Sequence, residues 1–552
     1  MLEGTVDTWA QVFAAGKAAA GKGYKGVVNR LEVKGLELPP IKKPLLKDGK
    51  LQNKRVDVLI IGGGIIGSFI ARELSKWNIS ILLVDKEEDL AMHTSSRNDG
   101  MVHAGFEPKP GTRKAYFNSR GNRLYHKVAQ QLGVPFRRKG SLILFDNYLL
   151  NLAFPIMRQR ALLNGVDGIR LLGREEIRKL EPAVSEKMIT GVYLPTTGVI
   201  SPYKMTVACA ENAVQNGAEV SLNTIVLSME YDSTGIVSVE TNRGTVYPRL
   251  VINAAGVYSD KIAAMAGDQF FTIHPRKGQA AILDKKKGHL VNTVVAKPSI
   301  SLTKGNTKGG GLVKTIDDNI LVGPDAVEQP YREDYSTDRQ NIEDILKKHL
   351  PLVPGLGTSD VITYFAGIRA ATYEEDFIVE RSEYISNLIH AAGIQSPGLA
   401  SAPAIAEEIE NIACRALSES MEVKLKANWN PIRRSIPELN KLSMEERSRL
   451  IAERPDYGVI VCRCEEISKG EIIDAVNSNI PVLSLDGIKR RVRPGMGRCQ
   501  GGFCSPNVVR IIQEETGVDM LSITKKGGPS YLLKAETKAE AAKQGGGVSE
   551  AI

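Results

Sequence analysis

The residues whose types and spacing could do chemistry fall into two groups in this 552-residue chain. In the first, four of the six cysteines stand near the C-terminal end as Cys462-x-Cys464 and Cys499-x4-Cys504. Thiolates are soft ligands, and two such pairs brought together can hold an iron–sulfur cluster or a zinc ion. Zinc is the less natural occupant, because zinc-binding cysteines are mostly separated by two to four residues. Glycines around Cys499 allow backbone N–H groups to turn toward sulfur. The other two cysteines, Cys209 and Cys414, stand alone and read as small buried apolar residues. In a long chain read as having no secretory signal, the cluster points to metal binding rather than to disulfides.

The second group is Gly62-x-Gly64-x-x-Gly67 with Asp85 further on. Gly62 permits a tight turn, Gly64 lets a pyrophosphate approach the backbone, and Gly67 lets a helix pack close to a sheet. Asp85 can accept hydrogen bonds from a ribose diol. This chemistry needs a strand before the glycines, a helix after them and a strand ending at the acid. The sequence supplies all three: an apolar run over 56–61, an amphipathic helix over 65–76, and a second apolar run over 79–84. The helix N-terminus offers unpaired N–H groups to phosphate.

Further along, VINAAG (251–256) is another apolar run ending in a glycine turn. LIHAAG (388–393), followed by IQSPGLASAP, repeats the pattern of strand, turn and helix start. Helices are expected over 116–132 and 208–216, and strands over 137–145 and 223–229. Residues 261–365 are rich in strand and turn signals, and Gly309–Gly311 reads as a hairpin turn. The fold class is therefore α/β, a Rossmann-like dinucleotide-binding domain with an inserted mixed-sheet substrate domain and a small α-rich C-terminal module. The expected boundaries are an N-terminal extension (1–54), the dinucleotide and substrate domain (55–413), a helical linker (414–457), a cysteine-bearing domain (458–525) and a flexible, polar and glycine-rich tail (526–552). The extension contains a helix-compatible stretch, 6–20. It could be a targeting peptide, a membrane anchor or an arm packing on a partner.

Composition narrows the function classes. Apolar residues make up 42% of the chain, as in ordinary globular proteins, yet no apolar run approaches the roughly 20 residues that span a bilayer. The net charge of +9 is dispersed, which argues against nucleic-acid binding and suits a small anionic substrate or an anionic membrane surface.

Together with the fingerprint, the loop NDGMVHAGFEPKPGTRKA after Asp85 resembles the D-amino acid oxidase-like superfamily of FAD enzymes. Within it, the loop is similar to the branch of L-2-hydroxyglutarate and anaerobic-type glycerol-3-phosphate dehydrogenases. The resemblance implies FAD as the dinucleotide and a loop running past the flavin ring. It implies cofactor contacts from Gly62, Gly64, Ile66, Gly67, Asp85 and Lys86, and from Ser95 and Ser96. Val226 would pass the adenine, Ala254, Ala255 and Gly256 would form the second motif, and Gly393, Gly398 and Leu399 the last. In the last motif a helix N-terminus would face the flavin's pyrimidine edge. The C-terminal cysteines resemble the bacterioferritin-associated ferredoxin-like [2Fe–2S] domain, in the variant closing with C-x4-C. That implies Cys462, Cys464, Cys499 and Cys504 as cluster ligands.

The resemblance also implies an arginine on the substrate anion at Arg369, in FAGIRA; Lys304 and Arg276 are weaker candidates. His103, in the flavin loop, is the expected base for a hydroxyl proton, although it could merely brace that loop. His390 reads as structural. The expected activity is FAD-dependent oxidation of a small anionic 2-hydroxy compound. Glycerol 3-phosphate is the first choice, L-2-hydroxyglutarate the second and an amino or imino acid the third. Electrons would leave through the cluster to a protein subunit or a quinone. A non-catalytic electron-transfer subunit is the alternative of a different class. A hetero- or homo-oligomer is expected, in the cytoplasm or peripheral on the membrane.

Overall fold

The computed structural model describes residues 1–298 and 309–535. Lys304 and the polar tail from 536 onward lie outside the described residues. The chain divides into two compact units.

The first unit holds residues 1–86 and 90–435. Its centre is a sheet in which strands Glu219–Ser221, Ile81–Val84, Lys54–Ile61 and Gly244–Asn253 lie side by side and parallel. Strand Leu388–Ala392 continues the parallel run beside the end of Gly244–Asn253. Leu59, Leu82, Val251 and Leu388 are fully buried, as a sheet covered on both faces requires. Helix Ile65–Leu74 follows strand Lys54–Ile61 directly. Gly67 is where this helix meets the sheet: a Cβ there would collide with the carbonyl oxygen of Gly62. Helix Pro202–Gln215 begins with Pro202 in its first turn and with Ser201 capping the Lys204 N–H.

A second sheet has nine strands, drawn from residues 141–371. Its longest pairing sets His274–Leu283 antiparallel to Val361–Ala371, with Gly278 opposite Gly367 and Arg276 opposite Arg369. Gly309 and Gly310 end the connection between strands Val294–Ala296 and Gly311–Lys314, which pair antiparallel, and Gly311 opens the second of them; residues 299–308 of that connection lie outside the described residues. The strand expected over 137–145 is broken at Gly140 into Phe136–Arg138 and Ser141–Phe145.

The N-terminal extension is an arm packed on the first unit. Strand Leu2–Val6 lies parallel to Asn29–Val33, with helix Trp9–Ala19 between them. Its anchor is the buried Tyr373, whose ring lies tilted against Phe13 and whose hydroxyl receives a hydrogen bond from Asn29 Nδ2 at 3.0 Å. The Tyr373 ring leaves room only for glycine at Gly16.

The segment 414–457 is helical only in parts. Helix Gly398–Ser418 covers its start and helix Met444–Glu453 lies near its end. Between them the chain is largely irregular and bonds to the first unit, through Arg433 to Glu211 (2.6 Å) and Asn430 to Asn216 (2.8 Å). Ordered backbone needs partners, and here side chains and backbone carbonyls both supply them.

The second unit holds Glu87–Asp89 and the chain from Ile436 onward. Helices Lys469–Val476, Leu485–Val492 and Ser505–Thr516 enclose a core of Ile472, Ile488, Val508 and Ile512. Asp89 is fully buried within this unit, and burial alone would raise its pKa. Arg491 and Arg490 outweigh that, lowering it through bonds of 2.7–3.1 Å. Such a buried charge persists because it is paired on several sides.

Candidate active site and cysteine centre

One cavity of about 670 Å³ in the first unit collects most of the expected site residues. Gly62, Gly64 and Ile66 line it where helix Ile65–Leu74 begins. Gly62 has φ +117°, and a Cβ there would strike the carbonyl of Ala254, so only glycine fits the turn. Asp85 lines the cavity at the tip of its strand and accepts the Gly63 N–H at 2.6 Å. Ser95 Oγ accepts the Ile65 N–H at 2.8 Å and caps the helix. Lys86 reaches the cavity with its ammonium 2.6 Å from Glu333. Val226, Ala254, Ala255, Gly256, Gly398 and Leu399 also line it. Gly398 opens helix Gly398–Ser418, whose first turn therefore faces the cavity.

Three expected cofactor positions do not line the cavity. Gly67 acts behind it, as the contact between helix and sheet. Ser96 closes a short turn, its Oγ donating to the His93 carbonyl at 3.3 Å. Gly393 takes φ +64° against Thr372, shaping the turn before the lining residues Ile394 and Gln395.

His103 and Arg369 line the same cavity. The His103 backbone carbonyl accepts hydrogen bonds from Asn118 and Asn122, and its Nδ1 lies 3.7 Å from Glu107 Oε2. Arg369 Nη2 donates to the Asp325 carbonyl at 3.0 Å and Nη1 to the Lys277 carbonyl at 3.5 Å. Among the described residues no carboxylate hydrogen-bonds it. Burial and Arg276 lower its pKa, opposed by Asp325, Asp99 and Glu328. An arginine stays charged under such a shift, so the cavity wall carries a desolvated cation held by neutral groups.

Arg276 is a different case and is set aside as an anion binder. It is buried, and its guanidinium is committed to Glu328, Glu375 and Gln395. His390 is structural as expected: fully buried, it bonds Asp268 at 2.9 Å beneath Phe270 and Phe271.

Asp99 escaped sequence reasoning. It lines the cavity in the loop that carries His103. The only signal available was an acid within NDGMVHAG. Gly309 and Gly310 were likewise missed as cavity wall.

In the second unit the four cysteines converge. Cys462 ends strand Ile460–Cys462, and Cys504 caps helix Ser505–Thr516. Both are buried, while Cys464 and Cys499 are partly exposed with sulfurs 3.6 Å apart. The two cysteine loops approach so closely that a Cβ on Gly497 would collide with Cys464. The Cys504 thiol, against the opposing effect of burial, pulls Cys462 down to about 6, with backbone N–H groups of Gly495 and Glu465 assisting. At Cys499 burial raises the thiol pKa, and the N–H groups of Phe503, Gly501 and Gly502 overcome it. Four cysteines brought together, with amide N–H groups turned toward Cys462 and Cys499, fit an iron–sulfur cluster.

Comparison with known proteins agrees with both sites. The chain matches the family described as FAD dependent oxidoreductase over residues 57–412 and the BFD-like [2Fe-2S] binding domain over residues 460–514. It is 39% identical over 489 residues to glycerol 3-phosphate dehydrogenase of Caloramator mitchellensis, a match covering 88% of this chain and 99% of that one. It is 28% identical over 404 residues to the mitochondrial L-2-hydroxyglutarate dehydrogenase of Mus musculus, covering 63% and 86%. Among solved structures it is similar to dithionite-reduced L-alpha-glycerophosphate oxidase of Mycoplasma pneumoniae with FAD bound, with a TM-score of 0.62 and 29% identity over 69% of this chain and 98% of that one. The glycine cradle, Asp85 and the helix starts at Ile65 and Gly398 fit FAD, and the four cysteines fit the cluster. The chain belongs to the FAD-dependent oxidoreductases, and it carries beyond that body a BFD-like [2Fe–2S]-binding domain.

Proposed function

We propose that this enzyme oxidises the C2 hydroxyl of glycerol 3-phosphate to the ketone of dihydroxyacetone phosphate and delivers the electrons to a partner protein or a quinone. The glycine cradle at Gly62 and Gly64 with Asp85 would hold FAD, which would supply a hydride acceptor, and Cys462, Cys464, Cys499 and Cys504 would hold the [2Fe–2S] cluster, which would supply one-electron transfer. The chain's own residues bind, orient and move the proton. Arg369 holds the phosphate, for which its planar fork of donors is suited. His103 takes the hydroxyl proton on Nε2, while Glu107, 3.7 Å from Nδ1, stabilises the cation that results.

The observation that carries this reading is Arg369. It is a cation bonded to no carboxylate among the described residues, in the same cavity as His103 and the dinucleotide cradle. The relative from Caloramator mitchellensis, similar over 88% of the chain, supports a phosphate rather than a carboxylate as the anion. The test is kcat/KM for glycerol 3-phosphate and L-2-hydroxyglutarate with an artificial electron acceptor. A preference of about 100-fold or more for the phosphate is expected, since matched polar sites discriminate at this scale. A preference for L-2-hydroxyglutarate would move the substrate to the 2-hydroxy acids.

Peripheral contact with an anionic membrane, where a quinone would be met, is part of the proposal. No helix among the described residues is long and apolar enough to cross a membrane. Residues 148–163, however, turn Leu149 (70% exposed), Leu152 (76%) and Ile156 (71%) to solvent. The stretch 147–166 contains Arg158 and Arg160 and no acid. An apolar face with arginines within it, here between Asp146 and Asp167, suits a lipid interface. Cosedimentation with phosphatidylglycerol vesicles is expected and should be lost in the Leu152→Asp/Ile156→Asp variant; equal recovery of both proteins would remove this part of the proposal.

A further inference from the structure

Arg369 has a counterpart of opposite charge in the cavity. Asp99 lies on the loop between Asp85 and His103, and the fold fixes its position from two sides. Its Oδ1 accepts the Met101 N–H at 3.0 Å, closing a turn that leads into strand Met101–Val102. That strand pairs with Gly198–Ile200. On the other side, the loop is clamped to the strand that bears Arg369. Thr94 Oγ1 donates to the Ile368 carbonyl at 2.6 Å, and the Arg97 carbonyl rests where a Cβ of Gly367 would be. Gly367 and Arg369 are two apart on strand Val361–Ala371 and so share a face.

Asp99 Oδ2 has no hydrogen-bond partner among the described residues, and the carboxylate does not bond Arg369. The two charges act on each other across space instead, since Asp99 is one of the acids opposing the fall in the Arg369 pKa. An anion and a cation that line one cavity and are unbonded to each other describe a site for a dipolar pattern. The matching ligand is anionic at one end and donates a hydroxyl proton at the other.

We infer that Asp99 is the specificity-determining residue of this enzyme: its free carboxylate oxygen accepts the hydrogen bond of the C1 hydroxyl of a polyol phosphate whose phosphate lies on Arg369. This rests on the proposed function and extends it to the class of substrate admitted. A 2-hydroxy acid would carry a carboxylate on the carbon next to the carbinol, where the polyol phosphate carries its hydroxymethyl group. Against Asp99 that carboxylate meets a like charge in a partly desolvated wall, and like charges there are costly. Selection thus works by attraction of the hydroxyl and by rejection of the acid. Asp99 takes no proton from the reacting carbinol, which is assigned to His103.

The experiment uses the holoenzyme and three substrates: glycerol 3-phosphate, propane-1,2-diol 1-phosphate, which lacks only the C1 hydroxyl, and L-2-hydroxyglutarate. The wild type is expected to favour glycerol 3-phosphate over the deoxy analogue by ~100-fold in kcat/KM, the scale of a hydrogen bond to a charged acceptor. In Asp99→Ala that preference should shrink to a few-fold. In Asp99→Asn, whose side-chain carbonyl can keep the turn to Met101, kcat/KM for L-2-hydroxyglutarate should rise about tenfold or more as the repulsion is removed. A wild type indifferent to the C1 hydroxyl would overturn the inference alone, and that measurement stands even if neither variant folds. An equal loss for all three substrates in Asp99→Ala would overturn it too, placing Asp99 in the proton transfer. Failure of the wild type to oxidise glycerol 3-phosphate would bring down the proposed function and this inference with it.

Discussion

Gly278 lies directly beneath the guanidinium of Arg369: a Cβ at Gly278 would sit 2.5 Å from Arg369 Nη2. The two strands that carry them pair Gly278 with Gly367, so two glycines open the sheet surface on which the arginine rests. The atom that an alanine would displace is the far end of a flexible side chain. Gly278→Ala should therefore fold, bind FAD normally and move the cation. The expected effect is a rise in KM for glycerol 3-phosphate of about tenfold with a smaller fall in kcat, which marks lost anion binding. Arg369→Lys should raise KM similarly or more, because an ammonium lacks the planar fork. Steady-state kinetics checks both, and an unchanged KM in Gly278→Ala would detach Arg369 from the substrate.

His103 is assigned the proton. Its loop is braced through its backbone by Asn118 and Asn122, so replacing the side chain leaves that bracing in place. His103→Gln should bind FAD and substrate with little change, while the rate of flavin bleaching in stopped flow falls about 10²–10⁴-fold. A variant that bleaches at the wild-type rate would reduce His103 to a brace.

The Arg276–Glu375 pair gives stability a pH signature. Burial alone would raise the Glu375 carboxyl, but the hydrogen bonds and charge of Arg276, helped by Lys114, bring it from 4.5 to about 2. A carboxyl depressed in the folded state stabilises it fully above the unfolded pKa and loses that contribution as pH falls through the folded one. Glu375→Gln should cost on the order of 2 kcal/mol at pH 7 in urea unfolding. The gap from wild type should hold down to about pH 5 and close between pH 4.5 and 2. A gap that widened toward acid would contradict the pairing.

Cys499 is the partly exposed member of the cysteine centre, and its sulfur lies 3.6 Å from that of Cys464. Cys499→Ser should lose iron and labile sulfide while keeping FAD and its bleaching by substrate, because FAD is held in the other unit. Metal analysis of the wild type should give iron and sulfide in equal amounts. Zinc without sulfide would contradict the cluster.

The parts of this enzyme legible in sequence were those whose chemistry is local. The glycine turn, its helix and Asp85 lie within 24 residues, and each cysteine pair within six. Spacing alone carries such features. What escaped depends on contacts between distant segments. Arg276 reads as a free cation until Glu328 and Glu375, more than 50 residues away, are seen to claim it. The N-terminal arm is ambiguous until Tyr373 appears as its anchor. Asp99 gains meaning only when strand Val361–Ala371 brings Arg369 to its cavity. Residues 424–433 are irregular while several of their backbone groups find side-chain and backbone partners elsewhere in the first unit, a solution that composition does not announce.

The central claim is that one substrate loads both cofactors of one chain. The most direct measurement is anaerobic addition of glycerol 3-phosphate to the purified holoenzyme, followed by absorbance and then by low-temperature EPR. Bleaching of the flavin band together with the rhombic signal of a reduced [2Fe–2S] cluster is the predicted result. Flavin that stays oxidised under glycerol 3-phosphate but bleaches with L-2-hydroxyglutarate, or bleaching that never yields the cluster signal, would contradict it.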